Sequence, residues 1–215
     1  MSVILDQYEL FYAAVPKVAC TSLKSMFFEL ENGHPFAPYK VNGRMKNVHN
    51  IGYRSMLRDT YPEGRIANFH RVTLVRDPVK RFLSAYSNRV LHHRELSREK
   101  AGKKLRELNL EPNPDLDLFV EKHADYLEAH PSILHHTRPM VDFLGKDAGY
   151  FSKIYPMEDM DQFARDISDR VGKEVTVGRE QTGGRKFQLS DLSEAQTRKI
   201  RDYYETDYRV FSDYL

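Results

Sequence analysis

Residues 11–30, FYAAVPKVACTSLKSMFFEL, restrict the fold more than any other stretch of the chain. Residues 11–15 are apolar and strand-like, and Pro16, which carries no N–H, ends the run. Lys17, Thr21, Ser22 and Lys24 then place two ammonium groups and two hydroxyls around one turn. Residues 23–30 have helical character. A strand, a polar loop and a helix N-terminus in that order make an anion site. The first helical N–H groups have no internal partner, and the helix dipole adds positive character there. The spacing excludes the Gly-x-x-x-x-Gly-Lys-Ser/Thr loop, because the lysine comes early and the loop has no glycine. The plain alternative is a strand-to-helix turn with Thr21 or Ser22 as N-cap.

A second segment, Arg71-Val-Thr-Leu-Val-Arg-Asp-Pro-Val-Lys-Arg-Phe-Leu-Ser-Ala-Tyr86, repeats the design. Residues 72–75 form a short buried strand with Arg76 and Asp77 at its carboxyl end. Asp77 is a natural N-cap, and Pro78 suits the first helical position. Phe82, Leu83, Tyr86 and Val90 recur at helical spacing. Ligands of open α/β sheets bind outside the carboxyl ends of the strands. Arg76 can present a two-pronged donor to a phosphate there, and Ser84 adds a hydroxyl. The alternatives are a local Arg76–Asp77 ion pair and a small packing residue at Ser84.

Together the two segments resemble the sulfotransferases that use 3′-phosphoadenosine 5′-phosphosulfate (PAPS), and most closely the Golgi-type carbohydrate sulfotransferases. Pro16-Lys-Val-Ala-Cys-Thr-Ser-Leu-Lys24 is similar to their 5′-phosphosulfate loop, Pro-Lys-Val-Ala/Gly-Cys-Thr/Ser-x-x-Lys. Val75-Arg-Asp-Pro-Val-Lys-Arg-Phe-Leu-Ser-Ala-Tyr86 is similar to their 3′-phosphate segment. Weaker likenesses lie at His136-Thr-Arg-Pro-Met140, Ile154-Tyr-Pro-Met-Glu-Asp-Met160 and Tyr203-Tyr-Glu-Thr-Asp-Tyr-Arg-Val-Phe211. The resemblance implies a P-loop-like three-layer α/β fold with a central, mostly parallel sheet. It implies a PAPS contact surface of Pro16, Lys17, Val18, Ala19, Cys20, Thr21 and Ser22, with Arg76 and Ser84 on the 3′-phosphate. A late basic loop, residues 179–186, offers Arg185 and Lys186 to the same phosphate; the equal alternative is a plain solvent loop. The implied reaction moves a sulfuryl group to a carbohydrate hydroxyl.

Sulfuryl transfer asks for positioning and for positive charge where the leaving oxygen becomes negative. Lys17 is placed for that role by the motif, and a metal is not required. The acceptor hydroxyl needs a general base. His49 in Lys46-Asn-Val-His-Asn50 is the first candidate, ahead of His136 and Glu63. His70 enters the same strand as Arg76 and belongs at its opposite end. Phe69 or another aromatic is available to stack on adenine, and Lys24 is either a helper or solvent-exposed. The paired His92-His93 and His135-His136 lack metal-ligand spacing.

At 215 residues and net charge +2, the chain suits one α/β domain and gives no global case for nucleic acid. Cys20 is its single cysteine, so no internal disulfide forms, which suits a reducing compartment. No apolar run approaches a membrane span, and the N-terminus lacks signal-peptide character. The expectation is a soluble, cytoplasmic enzyme with a carbohydrate substrate. The pattern predicts strands at 8–15, near 45–49, at 72–75 and at 150–155. It predicts helices at 22–31, 78–93, 116–129 and 160–171. Ser193-Glu-Ala-Gln196 reads as a capping box opening a last helix to about 204. The polar stretch 95–111 reads as a solvated helix or, with Arg94, Arg98, Lys100, Lys103, Lys104 and Arg106, as a lid over an anionic glycan within 94–115. The rival functions are a nucleotide-dependent kinase and a non-catalytic binder of anionic glycans.

Overall fold

The computed structural model describes residues 2–178 and 185–215. The elements follow as β1 (Val3–Leu5), β2 (Leu10–Ala13), α1 (Cys20–Asn32), β3 (Tyr39–Val41), β4 (Arg44–Lys46), α2 (Glu63–Ile66) and β5 (His70–Val75). Then come α3 (Pro78–Ala85), α4 (Arg98–Glu107), α5 (Leu116–Glu121), α6 (His123–Ala129), α7 (Pro131–Thr137) and α8 (Val141–Leu144). The chain closes with β6 (Lys153–Pro156), α9 (Met160–Val171), α10 (Glu194–Tyr203) and α11 (Glu205–Phe211). Two compact units result. The first is Met1–Arg76, Met140–Thr182 and Val210–Leu215; the second is Asp77–Pro139 and Gly183–Arg209.

The first unit is an α/β layer structure. Its sheet has the order β1-β2-β5-β6, with β2, β5 and β6 parallel and β1 antiparallel at the edge. β2 is buried along its whole length, as a strand covered on both faces must be. Successive side chains point to opposite faces, and both faces are packed. Tyr12 meets Phe27 of α1 and Phe163 of α9 at 5.2 and 6.1 Å. Phe11 meets Tyr61 at 4.9 Å, and the Tyr61 hydroxyl donates to the Phe143 carbonyl at 2.6 Å. The buried Thr73 hydroxyl is satisfied by the Ala13 carbonyl at 2.9 Å. The mostly parallel sheet flanked by helices is therefore as expected.

Several boundaries differ from the sequence reading. The strand expected at 8–15 is confined to Leu10–Ala13, because Tyr8 ends a 3₁₀ turn and Glu9 turns left-handed at φ 44°, and β1 precedes that turn. Residues 45–49 do not form one strand. Instead β3 and β4 pair through Asn42-Gly43, both at positive φ (48° and 73°), the backbone a two-residue hairpin requires. β5 begins two residues early, and β6 lies at 153–156 rather than 150–155. α9 runs where the periodicity put it.

The second unit is helical. Asp77 caps α3 by accepting from the Lys80 amide at 2.8 Å, with Pro78 in the first turn. The expected helix 78–93 changes character after Ala85 and continues as a π-helical segment, Tyr86–His92. The expected helix 116–129 breaks at Lys122 into α5 and α6, and Ala124 is exposed while His123 is buried. The polar stretch folds as α4, which buries Ala101 and Leu105 and leaves most of its cations in solvent. Ser193 and Gln196 form the reciprocal capping box of α10. Arg81, fully buried, donates to the carbonyls of His136 and Arg138 and lies 5.4 Å from the Tyr204 ring.

Candidate active site

The parallel register of β2 and β5 assembles the site within the first unit. Ala13 lies opposite Thr73, so the residues three further along, Pro16 and Arg76, leave the same sheet edge. Arg76 Nη1 donates to the Lys17 carbonyl at 3.1 Å. The loop between strand and helix is tightly specified. Val18 is fully buried and its amide bonds to the Val15 carbonyl at 3.4 Å. Lys17 and Ala19 are both left-handed, at φ 66° and 45°. Neither is glycine, and such a conformation costs about 1–2 kcal/mol per residue. Left-handed residues in a loop before a helix can turn backbone N–H groups toward a bound anion.

α1 starts two residues earlier than expected, at Cys20, with Ala19 as N-cap and no side-chain cap bond. Thr21 and Ser22 are therefore first-turn residues, not caps. Cys20 and Thr21 are half-buried, as is Lys17; Pro16 and Ser22 are buried.

His49 follows β4 and reaches back to the helix. Its Nε2 lies 3.0 Å from Thr21 Oγ1, and its Nδ1 lies 3.4 Å from Lys24 Nζ. Lys24 Nζ also lies 3.5 Å from Ser55 Oγ. Lys24 is not solvent-exposed: it is 1% accessible, and burial holds its pKa below the usual lysine range, with Cys20 opposing the shift. A signal for this was present, since Cys20, Leu23, Lys24 and Phe27 occupy i, i+3, i+4 and i+7 of one helix face. Nothing in the sequence pointed to Ser55.

Other candidates in the first unit fall elsewhere. His70 opens β5 beside Leu10, roughly 20 Å of strand from Arg76, as expected. Phe69 precedes it at that same amino end, which removes it as an adenine partner for a phosphate held at Arg76. Glu63 accepts from Arg58 and from the Tyr150 hydroxyl. In the second unit, Ser84 is half-buried on α3. There His136 Nδ1 bonds the Ser132 carbonyl at 2.7 Å. The Arg185 carbonyl accepts from Ser87 Oγ at 2.6 Å, while its guanidinium lies over the Phe187 ring. Residues 179–184 of the late basic loop lie outside the described residues.

An uncapped helix start, a left-handed loop, an arginine tied to that loop and a buried lysine lie together at the carboxyl edge of a parallel sheet, a donor set chemically suited to a compact anion. The sulfotransferase family model matches residues 1–214, so the chain belongs to the sulfotransferase family, whose members transfer sulfuryl groups. Comparison with curated proteins and with solved structures gave no match. No helix among the described residues is long and apolar enough to cross a membrane.

Proposed function

We propose that the chain moves the sulfuryl group of PAPS to a hydroxyl of a carbohydrate. The observation that carries this reading is the Arg76–Lys17 contact at 3.1 Å, which joins the two motif segments at the helix start. The donor set fits PAPS: N–H groups of the first turn with Thr21 and Ser22 for the 5′-phosphate, and the Arg76 guanidinium for the 3′-phosphate. Pro16, Val18, Ala19 and Cys20 shape the loop. Ser84 and Arg185 enter from the sequence pattern alone. When bound, PAPS supplies the activated sulfuryl group and a nucleotide leaving group.

Lys17 stabilises the negative charge that grows on the bridging oxygen. Its left-handed backbone and the Arg76 bond to its carbonyl hold the chain there, so less reorganisation is needed at the moment of reaction. His49 is the candidate base for the acceptor hydroxyl, a role open to it only when the ring nitrogen facing the hydroxyl carries no proton. The β3–β4 hairpin supports a sugar acceptor. In its register Tyr39 faces Lys46 and Val41 faces Arg44, so one exposed sheet face carries an aromatic ring and two cations.

The reading is tested by thermal unfolding with added nucleotide. 3′-Phosphoadenosine 5′-phosphate (PAP) at 100 times its Kd stabilises by about 2.7 kcal/mol. ATP with Mg²⁺ at equal concentration should do much less. The reverse order would favour a kinase and overturn the proposal.

A further inference from the structure

Lys24 sits where an ammonium group is costly. It is 1% accessible, on the face of α1 that also buries Leu23 and Phe27. A buried charge is destabilising unless it is paired and hydrogen-bonded. The groups that face it are His49 and Ser55 from the segment after β4, and Cys20 one turn back on its own helix. No carboxylate is among these contacts. Burial accordingly favours the neutral amine, and an anion bound nearby would favour the ammonium.

Donor and acceptor counting then links Lys24 to Thr21. An ammonium has three donors and no acceptor. If Lys24 is charged, His49 Nδ1 must accept, so a neutral imidazole carries its proton on Nε2 and donates it to Thr21 Oγ1 across 3.0 Å. The Thr21 hydroxyl proton is then released to donate elsewhere. If Lys24 is neutral, it can accept from Nδ1–H. Nε2 is then bare, and the Thr21 hydroxyl points its proton at the ring.

We infer that Lys24, through His49, is a positioning residue that aims the Thr21 hydroxyl at the anion held by the start of α1. The inference rests on the anion-site reading above, and it gives His49 the task of orienting Thr21. Anion binding is coupled to a charged Lys24. Affinity for PAP is therefore full below the Lys24 pKa and falls as pH rises through it.

Two measurements test this. The first needs no ligand: the tautomer of His49, read from ring ¹⁵N shifts and assigned by comparison with His49→Gln. Wild type should show Nδ1 as acceptor and Nε2 protonated below the Lys24 pKa, with the proton moving to Nδ1 above it. Lys24→Met should abolish that exchange. An identical tautomer and titration in both proteins would overturn the relay, whatever nucleotide the protein binds. The second is PAP affinity by calorimetry across pH. His49→Ala should weaken binding on the order of tenfold or more. His49→Gln, whose amide N–H can donate to Thr21, should restore most of it. A His49→Gln protein that binds PAP no better than His49→Ala would overturn the proposal. Failure of wild type to bind PAP, with the tautomer exchange intact, would instead remove the PAPS reading alone.

Discussion

Replacing Arg76 by alanine tests the contact that joins the two halves of the site. Arg76 Nη1 holds the Lys17 carbonyl at 3.1 Å, and Lys17 and Ala19 occupy left-handed backbone that costs about 1–2 kcal/mol each. Truncation removes one charged hydrogen bond from this loop and the guanidinium proposed for the 3′-phosphate. A hydrogen bond to a charged group contributes about 1.5–3 kcal/mol, so the Kd for PAP should rise roughly 12- to 160-fold. Arg76→Lys keeps the charge but loses the fork, and should fall between wild type and alanine. Titration calorimetry with PAP gives the affinities, and scanning calorimetry without ligand checks the fold. A Kd for Arg76→Ala within twofold of wild type would refute both the loop contact and the phosphate role.

Two further outcomes concern the helical unit. His123 is 7% exposed, its Nε2 is buried with no hydrogen-bond partner among the described residues, and burial pulls its pKa down to about 3. In the unfolded chain it titrates near 6.5. Above pH 7 it therefore costs nothing by protonation. Below about 6.5 the unfolded state alone takes up the proton, and stability falls by up to about 1.4 kcal/mol per pH unit. His123→Phe should flatten the wild-type loss between pH 7.5 and 5.0 by up to about 2 kcal/mol in urea unfolding; equal slopes would refute the assignment. Arg81→Met strands the carbonyls of His136 and Arg138 and should destabilise by roughly 3 kcal/mol or more, read as a lower urea midpoint, whereas an unchanged midpoint would contradict the bonding described.

Much of the fold was legible wherever one local signal sufficed. The apolar run before Pro16, the Asp77-Pro78 start of α3, the periodicity of α9 and the Ser193–Gln196 box each name their element without tertiary help. What escaped had a weak or overlooked local signal, or depended on packing between elements. β1 has three residues and is a strand only because β2 lies beside it. The Asn42-Gly43 hairpin signal lies just outside the one short strand the pattern predicts near 45–49. The break at Lys122 follows no proline or glycine. In the site, the loop and Arg76 were legible because their residue types and spacing carry the chemistry. The burial of Lys24 was legible only on the helix face it shares with Leu23 and Phe27. Its contact with Ser55 depends on a segment whose path the sequence does not announce.

The central claim is sulfuryl transfer from PAPS with Lys17 as its cation. Radiolabelled sulfate transfer from PAPS to a panel of polysaccharides, run in parallel with wild type and Lys17→Ala, tests it most directly. Transfer by wild type and its near-complete loss in a folded Lys17→Ala protein is the expected result. No transfer to any hydroxyl acceptor by a wild-type protein that binds PAP, or equal transfer by the two proteins, would contradict it.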